Sequence, residues 1–228
     1  MILIGLDDTD TLQSRGTGRL ARQIAMILSE KYNVIGVTRH QLLVDPRVPY
    51  TKNNSSAAIR LAADQVIDLH VVFEQVRDLM LADFQEGSDP GLCVAKDVHA
   101  EVNRFGLRAK AEFLEQAEAL RIAEENGILL AGLGGTQDGV IGALAAVGLA
   151  GSGDDGRFIQ VGSIRELSGL VTVDAALKAG ITSVETMDGS LVTTGFIQAE
   201  KIRPALRQGR PVQFVARQGE HWHPLKLD

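Results

Sequence analysis

Three observations predict an α/β protein. An apolar run at residues 2–6 leads through a polar loop into a helical stripe at Leu20, Ile24, Ile27 and Leu28. Short apolar runs then alternate with helical stretches, and a glycine-rich loop opens a second helix in GLGGTQDGVIGALAAVGLAG. With 228 residues and 45% hydrophobic content, the chain has ample material for a buried core.

Taken in order, residues 2–6 read as a buried strand, and Thr17 can cap the helix that follows. Residues 34–44 read as a second strand, 45–56 (DPRVPYTKNNSS) as a polar loop with two prolines, and 57–61 as a third strand. A helix over about 67–84 is broken by EGSDP at 86–90, and residues 92–95 return to strand. Residues 110–125 read as a helix ended by the cap glycine Gly127, with 128–133 as the next apolar strand. The helix opened by Gly139 carries Gly142, Ala143, Ala145 and Ala146, small residues that let another backbone or a ligand come close. Beyond Gly151, residues 173–179 form a short helix closed by Gly180, Asp188-Gly189 marks a hairpin, and a second hairpin turns at 218–220. The expected division is residues 1–167 and a small α+β unit at 168–228.

Composition narrows the function classes. A net charge of −6 does not favour a nucleic-acid partner, although from Ala199 onward six Lys or Arg face three acidic residues. No run approaches the roughly 18 apolar residues of a membrane span, and no basic region precedes the first apolar run, so the expected compartment is the cytoplasm. Cys93 stands alone in GLCVAK, which excludes an internal disulfide and a cysteine-based zinc site and reads as a core residue.

The chemistry concentrates in DDTDTLQSRGTGR, where Asp7, Asp8 and Asp10 crowd three carboxylates into four residues. Like charges about 5 Å apart repel by about 3 kcal/mol per pair at a protein-like dielectric. The helix N-terminus at Thr17 and Gly18 attracts phosphate, which bare carboxylates would repel. Mg2+ resolves the conflict, because it takes one or two carboxylates plus substrate phosphates and keeps several waters. Asp7, Asp8 and Asp10 are therefore candidate metal ligands, with Asp8 and Asp10 as candidate catalytic residues. Asp8 would face away from Asp7 along a strand, so two of the three would touch the ion. The alternative is that Asp7 and Asp10 cap turns and helices.

A second candidate nucleotide or acceptor loop runs through Gly134, Gly135, Thr136, Asp138 and Gly139, and matches neither a Walker sequence nor a dinucleotide fingerprint. Lys52, Asn53 and Arg22 are candidate phosphate contacts, and His40 and Asp138 candidate general bases. His221 and His223 have metal-compatible spacing but read as exposed terminal residues, and Asp154-Asp155 as a turn.

IGLDDTD, the GTG at Gly16 to Gly18, PYTKNNSSAA and DGVIGALAAVG occur in this order, and over residues 1–165 the chain resembles archaeal 2-agmatinylcytidine synthetase. That family modifies the anticodon of an isoleucine tRNA. The resemblance implies a kinase-like nucleotide-binding domain with a ferredoxin-like element, ATP with Mg2+, and metal binding at Asp7, Asp8 and Asp10. There are departures. Gly16-Thr17-Gly18 stands where the family has a Cys-Thr-Thr-like run with a phosphorylatable second threonine, and residues 51–56 replace a lysine-rich, glycine-punctuated run. The family's OB and zinc-ribbon domains would follow, but here only about sixty residues remain and hold no cysteine, so anticodon modification by this chain alone is not expected. The expected function is Mg2+-dependent use of ATP to phosphorylate or activate an unknown acceptor, a small molecule or one derived from nucleic acid. The alternatives are a non-catalytic nucleotide or metabolite sensor and a subunit of an RNA-modifying complex.

Overall fold

The structure is a computed structural model that describes residues 1–48, 51 and 53–227. The chain first forms β1 (Ile2–Asp7), α1 (Thr17–Leu28), β2 (Val34–Gln41), β3 (Ser55–Leu61), α2 (Leu69–Ala82) and β4 (Gly91–Lys96). Two helices, α3 (Ala100–Arg108) and α4 (Gln116–Glu125), lead to β5 (Leu129–Gly132) and the long helix α5 (Gly139–Ser152). These strands lie in the order β5-β4-β1-β3-β2, every neighbouring pair antiparallel.

β1 is apolar along its length because helices cover both its faces. Ile2, Ile4 and Leu6 pack with Leu20 and Ile24 of α1 and Val72 and Val76 of α2. Leu3, on the opposite face, joins Phe105 of α3 and Ala143 and Val147 of α5. The small residues of α5 let it lie on backbone: a Cβ on Gly5 would sit 2.1 Å from the Ala143 carbonyl oxygen, and one on Gly148 2.1 Å from that of Val102. Asp68 caps α2 by accepting from the His70 amide at 2.9 Å.

The sheet continues past β2 through β6 (Arg157–Gln160), β10 (Ala205–Arg207), β11 (Arg210–Gln218), β12 (His221–Pro224) and β9 (Phe196–Ala199) to β7 (Gly169–Thr172). β8 (Ser183–Glu185) runs parallel to β11, and α6 (Val173–Lys178) packs in a third apolar cluster that extends from Phe158 to Ile197 and Val215. Buried polar bonds cross this seam. Arg60 of β3 is 1% exposed, lies over the Phe158 ring at 5.5 Å, and donates through both terminal nitrogens to the Gly209 carbonyl at 3.1 Å. His40 of β2 meets Thr38 Oγ1 through Nε2 at 2.8 Å and Asp155 Oδ1 through Nδ1 at 3.0 Å, and Lys110 pairs with the other Asp155 oxygen. Burial pulls the His40 pKa down in spite of Asp155. At Asp155 burial acts upward, but the bonds from His40 and Lys110 prevail and hold the carboxyl below its usual range.

The mixed α/β class expected from the sequence is found. Several elements differ from expectation. Residues 110–115 are not helical: α3 ends at Arg108, tight turns follow, and helix resumes only at Gln116. Leu114 is drawn into the core and Lys110 toward Asp155, which overrides good helix formers. α3 itself was not expected, since Asn103 and Gly106 dilute its pattern, yet at Gly106 a Cβ would sit 2.9 Å from the Leu149 amide. Thr17 is the first residue of α1 and not its cap; Gly16 holds the cap position, and Asp10 supplies the accepting oxygen from outside the helix. β2 stops at Gln41, beyond which the Leu43 amide turns to the Ala109 carbonyl. The turn at Asp188-Gly189 forms, but β8 pairs with β11, leaving a single bridge, Glu185 to Leu191, across the turn. The hairpin at 218–220 joins β11 to β12, and Gly180 closes α6 with φ 108°. Among the described residues no helix is long and apolar enough to cross a membrane.

Candidate functional site

The C-terminal end of β1 opens into a cavity of about 360 Å³. Its lining combines five aspartates, Asp7, Asp8, Asp10, Asp89 and Asp138, with apolar side chains that include Leu42, Leu43, Phe113, Leu114 and Ile141, and with the charged Arg47, Glu112 and Glu115. Each aspartate is placed by backbone. Asp7 is the last residue of β1, opposite Gly91 of β4, and lies directly under α5: a Cβ on Gly142 would be 1.7 Å from its Oδ2. Asp8 adopts a left-handed φ of 46°, which aspartate tolerates better than most residues, and its carbonyl accepts the Asp89 amide at 3.1 Å.

Asp10 is the connector. Its Oδ1 accepts from the Thr17 amide at 3.1 Å and the Thr17 hydroxyl at 2.9 Å, while Oδ2 accepts from the Thr51 hydroxyl at 2.9 Å. Thr17 Oγ1 in turn accepts from the Thr9 amide at 3.3 Å and hydroxyl at 3.1 Å. The acidic loop, the start of α1 and the loop before β3 are thus tied together. The helix-capping alternative holds for Asp10, whose carboxylate serves the first amide of α1.

Crowding shows in the proton affinities. Burial, then the Asp8 charge, pushes the Asp7 carboxyl up to about 8. Burial, then Asp89, Asp10 and Asp138, pushes Asp8 up to about 6. Two carboxyls held so far above the usual range mark a concentration of negative charge with no positive partner for either among the described residues, the condition in which a bound cation contributes most. Among the described residues no three His, Cys, Asp or Glu side chains are arranged to hold a metal ion by themselves.

The structure brings Asp7, Asp8, Asp10, Thr17, Asn53, Asp138 and Gly139 to the cavity. Gly18 lies beside it, on the adjoining cavity described below. Gly134, Gly135 and Thr136 do not line it. Gly134 packs on Phe84 and Pro90, Gly135 on Asp89, and the Thr136 hydroxyl donates to Asp89. Asp89 also accepts the Gln137 amide at 2.7 Å and the Asp138 amide at 3.1 Å, so a carboxylate of the chain occupies the amides expected to cradle phosphate. Lys52 lies outside the described residues. His40 is buried in the sheet seam with Thr38 and Asp155 and does not line the cavity, which removes it as a general base. Sequence reasoning missed Asp89, whose one signal was Asp-Pro at the entry to β4, and Phe113, which it placed within a helix. It also missed Arg47, which lies over the Phe113 ring at 5.0 Å and pairs with Asp45 at 2.8 Å.

No family model matches the sequence. The chain is 29% identical over 151 residues to tRNA(Ile2) 2-agmatinylcytidine synthetase TiaS of Thermococcus sibiricus, a match covering 64% of this chain and 34% of that protein. It is 28% identical over 152 residues to an uncharacterized protein of Methanocaldococcus jannaschii, covering 65% of this chain and 50% of the other. The match thus takes in a third to a half of the length of these relatives. Among solved structures, a TiaS complex with tRNA(Ile2) and ATP superposes with a TM-score of 0.57 at 26% identity, covering 64% of this chain and 36% of that one. A tRNA fluorescent labeling enzyme gives the same TM-score and identity, covering 64% and 35%. Over about 64% of its length, then, the chain is related in both sequence and fold to the 2-agmatinylcytidine synthetases, as IGLDDTD and DGVIGALAAVG implied.

Proposed function

We propose that the cavity at the end of β1 binds ATP with Mg2+, and that the chain uses it to phosphorylate or otherwise activate an acceptor. One observation carries this reading: five aspartates line one cavity together with apolar side chains that could take a flat ring, and among the described residues no cation pairs with Asp7 or Asp8. The TiaS structure bound to ATP and tRNA(Ile2) supports it. The succession β1-α1-β2-β3-α2-β4, with strand order β4-β1-β3-β2, supports a ferredoxin-like element. We place the kinase-like nucleotide part in residues 1–167 and a small α+β part in 168–228.

The donor set fits Mg2+. That ion needs few protein ligands when phosphates and waters complete its shell, so the absence of a three-ligand cluster among the described residues is compatible with one or two of Asp7, Asp8 and Asp10. When bound, it supplies neutralisation of phosphate charge. The protein residues do the positioning: Asp10 fixes Thr17 and Thr51 beside the cavity, Asp89 fixes the turn that presents Asp138 and Gly139, and Phe113 and Leu114 supply apolar surface for the base.

Calorimetry of ATP with and without Mg2+ on the wild type, Asp8→Asn and Asp10→Asn tests the reading. Metal-dependent affinity is expected to fall by about 1–2 kcal/mol, on the scale of a lost charge-assisted contact. Unchanged affinity in both variants returns the aspartates to turn capping. Turnover to ADP indicates a kinase and to AMP a ligase-like step, while binding without turnover indicates a sensor.

A further inference from the structure

Beside the acidic cavity, and sharing Asp10, Thr17, Thr51, Asn53 and Ser55 with it, lies a second cavity of about 400 Å³ of opposite character. Arg19 and Arg22 reach it from α1, Arg165 from a 3-10 turn at Ile164–Glu166, and Arg203 from the segment between β9 and β10. Arg39 of β2 and Gly18 also line it, with Ser14, Ser56 and Ile159 among the remaining residues. Among the described residues no carboxylate forms a salt bridge with Arg19, Arg22, Arg165 or Arg203.

Three of these side chains are held, but not neutralised. Arg22 Nε donates to the Gly18 carbonyl at 3.1 Å, Arg165 to that of Ile159 at 3.4 Å, and Arg203 to that of Ile202 at 2.7 Å. Each contact uses one or two of the five N–H donors of a guanidinium and leaves the rest for a ligand. Burial, then Arg165 and Arg19, pulls the Arg22 pKa down, and burial, then Arg165, Arg22 and Arg157, does the same at Arg203. Arginines on a solvated face diverge to reduce such repulsion. Here four from three separate elements converge on one cavity, at the N-terminal turn of a 12-residue helix whose glycine leaves room for close approach.

We infer that this arginine cavity binds phosphate groups of a second, phosphate-bearing substrate, placing that substrate's reactive end at the Asp10–Thr17 junction with the acidic cavity. Arg–phosphate pairs are bidentate and directional, and four converging guanidinia match the three or more oxygens of a phosphate group better than the two of a carboxylate or a single halide. The inference of an anion site stands on the arginines alone. Only the assignment of its ligand as the acceptor rests on reading the acidic cavity as the ATP site.

The test uses pyrophosphate as probe, titrated calorimetrically into the full chain in EDTA, with wild type, Arg165→Ala, Arg165→Ala/Arg203→Ala and Asp8→Asn compared. Arg165 is exposed, so its single variant keeps the test informative if the double variant folds poorly. Pyrophosphate affinity is expected to fall at least threefold in the single and tenfold in the double variant, and to hold or rise in Asp8→Asn. Mg2+-ATP affinity is expected to stay within twofold in the arginine variants, and ATP-saturated protein to bind pyrophosphate still. Absence of pyrophosphate binding by the wild type, or binding indifferent to both arginine variants, overturns the site. A parallel loss of Mg2+-ATP affinity in the arginine variants overturns the second-substrate assignment and makes the cavity the triphosphate end of the ATP site. If Asp8→Asn and Asp10→Asn both leave Mg2+-ATP binding intact while pyrophosphate still depends on the arginines, the ATP reading fails and the anion site stands.

Discussion

Replacing Gly142 with alanine sets two effects of known sign against each other. In the interior of a helix alanine is favoured over glycine by about 1 kcal/mol, so the substitution would stabilise α5 if the site were open. It is not open: the new Cβ would sit 1.7 Å from Asp7 Oδ2, 2.3 Å from its Cγ and 2.9 Å from its Cβ. Because the obstruction includes the root of the side chain, rotating the carboxyl away is not enough, and β1 and α5 must part by several tenths of an ångström. Overpacking of this kind costs about 1–3 kcal/mol, and these separations place it at the upper end. Net destabilisation of about 2 kcal/mol follows, a fall in melting temperature of about 4–8 °C for a domain of this size. Urea denaturation of wild type, Gly142→Ala, Asp7→Ala and the double variant isolates the contact. Asp7→Ala removes the two nearest atoms and leaves the Cβ at 2.9 Å, so in that background Gly142→Ala should cost less by about 1–2 kcal/mol, which is the coupling expected of the pair. A Gly142→Ala protein about 1 kcal/mol more stable than wild type would refute the close approach of Asp7 to α5.

As pH falls below about 6.5, His40 and the acidic cluster pull stability in opposite directions: burial lowers the His40 pKa, so the unfolded chain takes up that proton first, whereas the raised Asp7 and Asp8 carboxyls take up protons first in the folded state. His40→Gln should therefore raise the urea midpoint at pH 5 relative to that at pH 7.5, compared with wild type; an unchanged pH dependence would count against this contribution. Cys93 is fully buried with its thiol pushed far above the usual range, so it should resist a thiol-reactive dye until urea unfolds the chain, and rapid native labelling would contradict its placement in β4. Incubation with ATP and Mg2+ should leave the intact mass unchanged, because the Thr17 hydroxyl is engaged with Asp10 and Thr9. A phosphate adduct mapped to Thr17 would show that this network opens.

What could be read from the sequence was local. β1 was legible because a strand covered on both faces is apolar throughout, and α5 because a helix lying on backbone is built of small residues. The antiparallel pairing was not legible, since burial on both faces erases the alternation that usually marks such strands. Asp7, Asp8 and Asp10 stand together in sequence and were found together. Asp89 joins them only because β4 pairs with β1, a contact 81 residues away that leaves no mark on either segment. The division between 110 and 115 was hidden for a similar reason: Lys110, Ala111 and Glu112 are good helix formers, and only Asp155, far along the chain, draws Lys110 into another conformation. The arginine cavity draws Arg22, Arg165 and Arg203 from segments that have no sequence pattern in common.

The bonds from Arg60 to Gly209 have a kinetic consequence. A two-stranded hairpin tip such as Gln208-Gly209 ordinarily frays, and its amides exchange with solvent in small local openings. Here the tip cannot lift without breaking both guanidinium bonds and exposing a cation that the core otherwise encloses over Phe158. The Gly209 amide, itself bonded to Gly153 at 2.9 Å, should therefore exchange at the rate of the most protected strands, β1 and β3, so that a turn serves as a reporter of global unfolding.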